Sequence, residues 1–423
     1  MQGLIPRFLL ASLLSVASLA AQRTWIVDAN ARPGYDFRVL SRAVANAHHG
    51  DLIRVRAGRY ASGLSIDKGV SILGEPGVVL VLERPFVGYP DPLRLERIPK
   101  GCRLVLKDLE VENPAKNWHS FPILLAQNNL GEIHIDQVVV RGHLGGKGHV
   151  QERSLDVRDG PLVTLSRCRF EGQVRIQGAR VDVHGGTYRG ADATTGDSLY
   201  EALPGQAAFL VDQGAHLDLD QVLVQGGHGG TDRVLRPLAS GPGLCVLTGQ
   251  ILIRGSGSMI VAGQKAKAPM PAIQGEPGSR LVLDPAAILT PWQQDLPCGG
   301  FTQGAVLVRK LPALHLRVAA ERGRVFFADF RSQKRKPYVV FMGLAQGGSR
   351  LLGPLTTQEN VLELDPVALV ALSWGIQSGT GHSVVAMPIP AMAPLSGVPL
   401  AFQGFSLGSN GLSASNLLVS IPS

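Results

Sequence analysis

Six ten-residue segments in the middle of the chain share one pattern of apolar residues. They are Leu104–Asn113, Ile133–Gly142, Val163–Gly172, Val181–Gly190, Leu217–Gly226 and Val246–Gly255. Apolar residues stand at positions one, three, six and eight, except where Gly186 and Thr248 replace them. Spacing of two is typical of a strand with one buried face, and the change to spacing three predicts a bend before a second strand. A repeated strand–bend–strand unit predicts a solenoid whose repeats stack on one another.

The composition agrees with an all-β chain of more than one domain. The chain has 423 residues, of which 45% are apolar, enough to fill a continuous core. It contains 51 glycines and 28 prolines, which suits many tight turns and few long helices.

The first 21 residues have the form of a signal peptide. Arg7 precedes the apolar run Phe8–Val16, and small residues at Ser18 and Ala20 predict cleavage after Ala20 or Ala21. No later apolar run is long enough to span a bilayer. We therefore expect a protein that is secreted, periplasmic or on the cell surface, without a transmembrane segment and without a nucleic-acid partner.

Four cysteines enter a compartment in which disulfides form, but their spacing fits no metal motif. They are Cys102, Cys168, Cys245 and Cys298. Cys168 occupies an inward position of its repeat, so we predict a packing role for it. The pairing of the others stays open.

A motif near the N-terminus identifies a family. The segment combines Asp36-Phe37, Ala43-Val44, Ala47, Gly50-Asp51, Ile53-x-Val55, Gly58-x-Tyr60, Ile66, Lys68-Gly69-Val70 and Ile72-x-Gly74. It resembles the opening of right-handed parallel β-helix proteins of the pectin-lyase-like superfamily. The resemblance implies an N-terminal capping helix, here expected over 36–47, that covers the end of the solenoid. The pectin methylesterase signatures are absent.

The remainder of the chain predicts a second domain. We expect a signal peptide over 1–21, a parallel β-helix over 22–290, a linker over 291–312 and a small antiparallel β-sandwich over 313–423. The C-terminal part, with Gly397–Gly404 and Ser415-Asn416, resembles a small module of secreted bacterial proteins. Between Arg309 and Lys336, nine basic residues against two acidic ones give a net charge of +7. We expect a solvated strand face and loop tip here, and the alternative is electrostatic contact with an anionic polysaccharide or surface.

Three insertions follow the repeats, at 143–161, 191–206 and 227–242, and they predict a groove. Insertions that enter at equivalent points of successive repeats emerge on one side of a solenoid. The candidate catalytic residues are Arg141, Arg189, Asp192, Asp197 and His228; the candidate substrate-binding residues are His143, Lys147, His149, Asp232 and Arg233. We predict no metal ligands and no assured cofactor, although β-helix lyases commonly use Ca²⁺.

The ninth positions of the repeats carry Glu112, Arg141, Glu171, Arg189, Gln225 and Arg254. Neighbouring strands would bring these side chains into a ladder of alternating charge, and the same arginines could instead contact an acidic substrate. The leading hypothesis is recognition of an extracellular anionic polysaccharide along the groove. The alternatives are a polysaccharide lyase or glycoside hydrolase, and a structural or adhesion solenoid.

Overall fold

The computed structural model describes residues 22–61, 63–82, 91–113, 122–142, 153–160, 162–195, 202–232, 236–255, 257–264, 270–290, 305–308, 311, 313–318, 325–349, 362–364, 370–388, 400–408 and 411–420. The predicted signal peptide lies outside these ranges. Two compact units can be distinguished within the described residues. One unit comprises 25–49 and 53–311, and the other comprises 22–24, 50–52 and the residues from 313 onward.

The described residues are almost entirely strands, with one helix, α1 (Leu40–Asn46). The first strands are β1 (Thr24–Val27), β2 (Leu52–Val55), β3 (Gly58–Ala61), β4 (Ser65–Ile66), β5 (Ser71–Gly74), β6 (Val78–Val81), β7 (Leu93–Glu96), β8 (Arg103–Lys107), β9 (Glu110–Glu112), β10 (Pro122–Gln127), β11 (Glu132–Asp136), β12 (Val139–Arg141), β13 (Arg153–Arg158) and β14 (Val163–Glu171). They continue with β15 (Gln173–Gln177), β16 (Arg180–Arg189), β17 (Phe209–Asp212), β18 (Ala215–Asp220), β19 (Leu223–Gln225), β20 (Gly230–Thr231), β21 (Pro237–Leu238), β22 (Leu244–Val246), β23 (Gly249–Arg254), β24 (Met259–Val261), β25 (Ile273–Gly275), β26 (Arg280–Leu283), β27 (Ile288–Thr290) and β28 (Ala305–Val308). The last are β29 (Ala313–Val318), β30 (Val325–Arg331), β31 (Pro337–Ser349), β32 (Leu362–Leu364), β33 (Val370–Ile376), β34 (His382–Pro388), β35 (Leu400–Gly408) and β36 (Gly411–Ser420).

The strands up to β28, apart from the hairpin β20–β21, form three columns of parallel pairs. The first column is β4, β7, β10, β13, β15, β17, β22 and β25. The second contains β1, β2, β5, β8, β11, the first halves of β14 and β16, β18, β23, β26 and β28. The third contains β3, β6, β9, β12, the second halves of β14 and β16, β19, β24 and β27. Each repeat contributes one strand to every column, an arrangement compatible with a β-helix.

The first five ten-residue segments are confirmed in register. Their first positions are paired in the order Leu104, Ile133, Val163, Val181 and Leu217. The apolar side chains at positions one, three, six and eight are all buried in one continuous core. Positions one to four lie in the second column and positions seven to nine in the third, so the predicted bend separates two columns.

The bend is a single residue in the left-handed conformation at position five. The five residues are Asp108, Gln137, Arg167, Gly185 and Gln221, with φ between 52° and 67°. The left-handed residue turns the chain sharply enough that the next strand starts in another column. This explains why the apolar spacing changes from two to three between positions three and six.

The predicted alignment of the sixth segment with the other five is wrong. Leu217 pairs with Ile251, not with Val246, which lies in the first column opposite Val211. Gly255 has φ 51° and is therefore the bend residue of this repeat. The true repeat starts at Ile251, and Ile260 rather than Ile253 is the partner of Val224.

The N-terminal helix is confirmed but is shorter than predicted. Helix α1 buries Leu40, Ala43 and Val44. The Lys68 ammonium group donates hydrogen bonds of 2.7–3.1 Å to three carbonyl oxygens at the C-terminal end of the helix. Because those carbonyls carry the negative end of the helix dipole, a lysine there stabilises the helix end.

The parallel part continues beyond its expected last strand. The parallel β-helix was expected to end at 290, but Arg280–Leu283 pairs onward with Ala305–Val308, inside the segment predicted as a linker. Leu311 is buried in a small cluster with Leu252 and Val282. No helix among the described residues is long and apolar enough to cross a membrane.

The C-terminal unit contains antiparallel sheets. One sheet orders β29, β30 and β34; the other orders β32, β31, β35 and β36, with β33 paired to β31. The antiparallel strands expected over 313–423 are observed among the described residues. All pairs in this unit are antiparallel.

Candidate functional site

The insertions begin where the backbones of neighbouring repeats are in close contact. Gly142, Gly190 and Gly226 are the final residues of their segments, and a Cβ atom on any of them would lie 2.1–2.2 Å from a backbone oxygen, that of Glu171, Gln206 or Gly241 respectively. Only glycine permits such an approach. These glycines are sterically required, so their positions in the sequence indicate where the insertions begin.

The second and third insertions lie side by side and share one carboxylate. The Asp192 Oδ2 atom accepts a hydrogen bond of 2.7 Å from Arg189, and its Oδ1 atom accepts bonds from Arg189 at 2.9 Å and from the His228 backbone N–H at 2.7 Å. The His228 ring accepts a bond of 3.0 Å at Nδ1 from the backbone N–H of Gln264. The structure thus brings together three of the predicted catalytic residues, and their contacts connect the insertions.

Backbone hydrogen bonds extend this connection into a continuous wall. Gln206 donates to Ala191, Gly227 to Gln206, Gly241 to Gly227 and Gly263 to Gly241, each at 2.8 Å. Glycine predominates because these backbones approach too closely for side chains: a Cβ on Gly227 would lie 1.8 Å from the Ala191 oxygen. The described parts of the second and third insertions, 191–195, 202–206, 227–232 and 236–242, therefore form an ordered surface.

Asp232 has a local partner at the tip of the third insertion. Its carboxylate is buried and accepts bonds from the Arg236 backbone N–H at 2.8 Å and from Arg236 Nε at 2.6 Å. These contacts close the hairpin between β20 and β21. The remaining predicted site residues, His143, Lys147, His149, Asp197 and Arg233, lie outside the described residues.

The charge ladder is observed over four strands of the third column. Glu112, Arg141, Glu171 and Arg189 are successive Cα partners, followed by Gln225 and Val261. Arg254 does not belong to this ladder. It was predicted at a ninth position only because the sixth segment was misaligned. The intervening strand Gln173–Gln177 lies in the first column and leaves the ladder intact.

The ladder arginines Arg141 and Arg189, and Arg169 beside the ladder, each have a carboxylate partner. Arg141 donates from Nε to Glu110 at 2.5 Å, and this bond raises the pKa of the guanidinium. Arg169, two positions before Glu171, donates to it at 2.7 Å. The side chains of Arg141 and Arg169 nevertheless remain 53% and 61% exposed. Their guanidinium groups are held in place at an accessible surface.

The first insertion is shorter than predicted, because Arg153–Arg158 is strand β13 of the first column. The alternating apolar residues Leu155 and Val157, both buried, are the sequence pattern that could have predicted this strand. On the outer side, the fully buried carboxylate of Asp156 pairs with Arg153 and Arg158, each at 2.7 Å. These polar residues belong to a strand and not to a loop.

A second polar group, which sequence reasoning missed, follows the outer side of the second column. Position two carries His134, Thr164, Asp182, Asp218 and Leu252; position four carries Asp136, Ser166, His184, Asp220 and Arg254. All ten side chains are buried, and we call the nine polar ones, all except Leu252, the buried polar row. Outward-facing polar residues of a strand are normally solvated. The alternating pattern therefore did not indicate that these side chains are buried.

Ion pairs neutralise much of the buried polar row. Arg254 contacts both carboxylate oxygens of Asp218, with the shortest distance 2.6 Å, and the two side chains are 3% and 1% exposed. Burial alone would raise the pKa of Asp218, but the charge and hydrogen bonds of Arg254 outweigh it and the pKa is lowered. Arg167 contacts Asp136 in the same bidentate manner at 2.7 Å.

The histidines beside these pairs are kept neutral. Burial, assisted by the positive charge of Arg180, lowers the pKa of His216 to about 4. Burial likewise lowers the pKa of His184. Within the described residues, His134 Nδ1, Thr164 Oγ1 and Asp182 Oδ2 have no hydrogen-bond partner. Buried polar atoms of this kind are the usual positions of internal water.

The geometry assigns no reactive centre to these groups. Asp182 and Asp218 are partners on adjacent strands, but both are inaccessible. The Asp192 carboxylate and the His228 ring accept hydrogen bonds within the wall. Among the described residues, no group of three or more His, Cys, Asp or Glu side chains is arranged to hold a metal ion. Cys102, Cys168 and Cys245 are free thiols; Cys168 is buried as predicted, and burial raises its pKa to about 12.

Comparison with known proteins adds no further assignment. No protein-family model matches the sequence, and no curated protein shows significant similarity to it.

Proposed function

We propose that the chain is an exported protein of pectin-lyase-like type, a right-handed parallel β-helix followed by a β-sandwich, which binds an extracellular anionic polysaccharide. Three columns of parallel strands, each receiving one strand per repeat, support the β-helix. Right-handed crossovers are the rule for parallel strands of one sheet. Antiparallel pairing throughout the C-terminal unit supports the sandwich.

One observation carries the binding proposal: arginines stand on three consecutive strands of the third column. They are Arg141 on β12, Arg169 on β14 and Arg189 on β16, and we call them the arginine stripe. Neighbouring strands are about 4.8 Å apart, and Arg169 lies two residues before the register position shared by Arg141 and Arg189, so the stripe is a staggered row of three guanidinium groups on adjacent strands. Repeated cations at an exposed surface suit a polymer with repeated carboxylate or sulfate groups.

The carboxylate partners orient the stripe. Glu110 and Glu171 fix Arg141 and Arg169, while Asp192 fixes Arg189 at the start of the wall. An oriented guanidinium loses less side-chain entropy when it contacts a ligand. Because the partners also offset the positive charge, we expect specific short-range contacts more than long-range attraction, and moderate affinity.

Binding without turnover agrees with the contacts of the predicted catalytic residues. General acid–base catalysis needs a titratable group within hydrogen-bond reach of the substrate. The Asp192 carboxylate instead accepts bonds from the chain itself, and the His228 Nδ1 atom is occupied by Gln264. The same contacts favour a structural solenoid as the second candidate, because they stabilise the wall whether or not a glycan is present.

The experiment is retention on immobilised polygalacturonate and heparin, with cellulose as the neutral polymer. The double variant R141A/R169A is compared with R97A, which removes an arginine outside the stripe whose side chain is 69% exposed. We expect the double variant to bind at least about tenfold more weakly, since each charge-assisted hydrogen bond contributes about 1.5–3 kcal/mol. R97A should bind like the wild type.

Each other result selects an alternative. No retention on either acidic polymer leaves the structural solenoid. Equal retention of the wild type and the double variant removes the arginine stripe as the binding site. Release of unsaturated sugars during incubation identifies the lyase, and new reducing ends without unsaturated sugars identify the hydrolase.

A further inference from the structure

The five-stranded antiparallel sheet of the C-terminal unit exposes large apolar side chains. Trp374 and Ile376 on β33 are 74% and 73% exposed. They are two residues apart on one strand and therefore project from the same face of the sheet. Within the described residues, β33 pairs with β31 alone, so these side chains stand at a sheet edge.

Neighbouring strands continue this apolar surface. Pro337 lies opposite Ile376, and Val339 lies opposite Trp374. On the other side of β31, Ser406 pairs with Tyr338, which places the adjacent Leu407 beside Pro337, and Leu407 is 48% exposed. Directly opposed residues share a face. Pro337, Val339, Trp374, Ile376 and Leu407 together form what we call the apolar face.

A basic turn adjoins the apolar face. Lys334, Arg335 and Lys336 connect β30 to β31, and the first two are exposed. The Gln377 N–H donates to the Lys336 carbonyl at 2.8 Å, which fixes the turn beside the end of β33. The strands β31, β33 and β35 contain no Asp or Glu. The turn therefore keeps a local charge of +3 without acidic residues on the strands of the apolar face.

We propose that the apolar face and its basic turn bind the surface of a lipid bilayer that contains anionic lipids. Apolar side chains rimmed by Lys and Arg match the two layers of a bilayer surface, acyl chains below and phosphates above. Tryptophan is favoured at this depth because its ring is amphipathic. The proposal is independent of polysaccharide binding by the arginine stripe.

The composition of the face favours a lipid over a sugar polymer. Sugar recognition requires hydrogen-bonding groups around the stacking aromatic ring. The side chains next to Trp374 on this face are Val339, Pro337 and Ile376, none of which offers a donor or an acceptor. Burying them releases free energy in proportion to the apolar area, and an acyl-chain boundary removes that area from water better than a hydrated glycan.

The experiment is co-sedimentation of the full chain with vesicles of phosphatidylglycerol and phosphatidylcholine, compared with phosphatidylcholine alone. The variants are W374A, I376S and the charge variant K334Q/R335Q; all four side chains are exposed, so folding is expected to persist. L130A is the matched control, because Leu130 is 70% exposed in the parallel part. Circular dichroism verifies that each variant is folded.

We expect the wild type and L130A to sediment with the anionic vesicles and not with the neutral ones. Each of the three variants should bind at least about fivefold more weakly, and salt should weaken the wild-type binding. Equal binding to neutral vesicles, or unchanged binding of W374A and I376S, overturns the proposal. Retention on heparin that W374A abolishes would identify a glycan site instead. A lipid-free dimer that W374A dissociates would identify self-association.

Discussion

The second and third columns are formed by the same repeats, yet their outer surfaces are opposites. On the second column, His134 and Asp182 are 1% and 0% exposed. On the third, Arg141 and Arg169 are 53% and 61% exposed, although they lie only a few residues further along the same repeats. The inner sides of both columns belong to one apolar core. The difference therefore lies entirely in the outward-facing positions.

This contrast separates two kinds of ion pair. A buried pair is costly to form, and removal of one partner leaves an uncompensated charge in a low dielectric. An exposed pair is screened by water and contributes little to stability. The buried polar row should therefore determine the stability of the parallel part, while the arginine stripe is available for binding.

The largest expected effect comes from breaking the Arg254–Asp218 pair. We expect R254A to lower the free energy of unfolding by about 3–5 kcal/mol, because the Asp218 carboxylate stays buried without its bidentate partner. R141A should lower it by less than about 1 kcal/mol. Denaturant unfolding followed by far-ultraviolet circular dichroism measures both. Equal destabilisation by the two variants would mean that burial does not distinguish the columns.

The inner sides of both columns were predictable, and the outer sides were not. Apolar spacing identified the buried positions of five repeats, including Cys168, because an inward side chain must be apolar wherever the repeat occurs. The same spacing cannot reveal whether Asp182 or Arg169 meets solvent, since cover over a strand comes from segments distant in sequence. Strand β13 was predicted to lie in an insertion, because its polar residues outnumber its two apolar residues, Leu155 and Val157.

The sixth segment was misread for a different reason. Val246, Ile251 and Ile253 satisfied the apolar template, and Gly255 satisfied its final glycine. The template carried no information on which column a strand enters, so a first-column strand was joined to a second-column strand. The left-handed φ of Gly255 identifies it as a bend residue, and this conformation has no signal in hydropathy.

The second prediction concerns pH and again distinguishes the two columns. The pKa of His216 falls from its ordinary value of 6.5 to about 4 in the folded chain. The unfolded chain therefore binds a proton first as pH falls, and the neutral folded form loses stability between pH 6.5 and 4. The loss from this group is about 2–3 kcal/mol. His184 acts in the same direction. In the third column, the hydrogen bond to Glu110 raises the pKa of Arg141, so this arginine stays charged over the same range.

The variant H216Q tests this contribution. We expect the free energy of unfolding to decline less between pH 7 and pH 4 in H216Q than in the wild type, by about 2 kcal/mol. Thermal unfolding at matched ionic strength over that range provides the measurement. An H216Q curve parallel to the wild-type curve would show that His216 titrates normally in the folded chain.

The smallest expected effect lies at the bend that joins the two columns. Gln221 is exposed and has φ 54°, a conformation that costs a residue with a side chain about 1–2 kcal/mol. Gly185 and Gly255 occupy the same position in the neighbouring repeats, with φ 67° and 51°. We expect Q221G to raise the free energy of unfolding by up to about 1 kcal/mol, because the relief of strain exceeds the added entropy of the unfolded chain.

Two matched variants show whether the backbone conformation is the cause. Gln225 lies four residues later within β19, where φ is not positive, so Q225G should destabilise the chain by about 0.5–1 kcal/mol. Q221V should also destabilise it, because a β-branched residue tolerates the left-handed conformation poorly. If Q221G and Q225G shift the unfolding midpoint equally, glycine acts through chain entropy alone. The one-residue bend would then place no conformational demand on the residue that links the buried column to the exposed one.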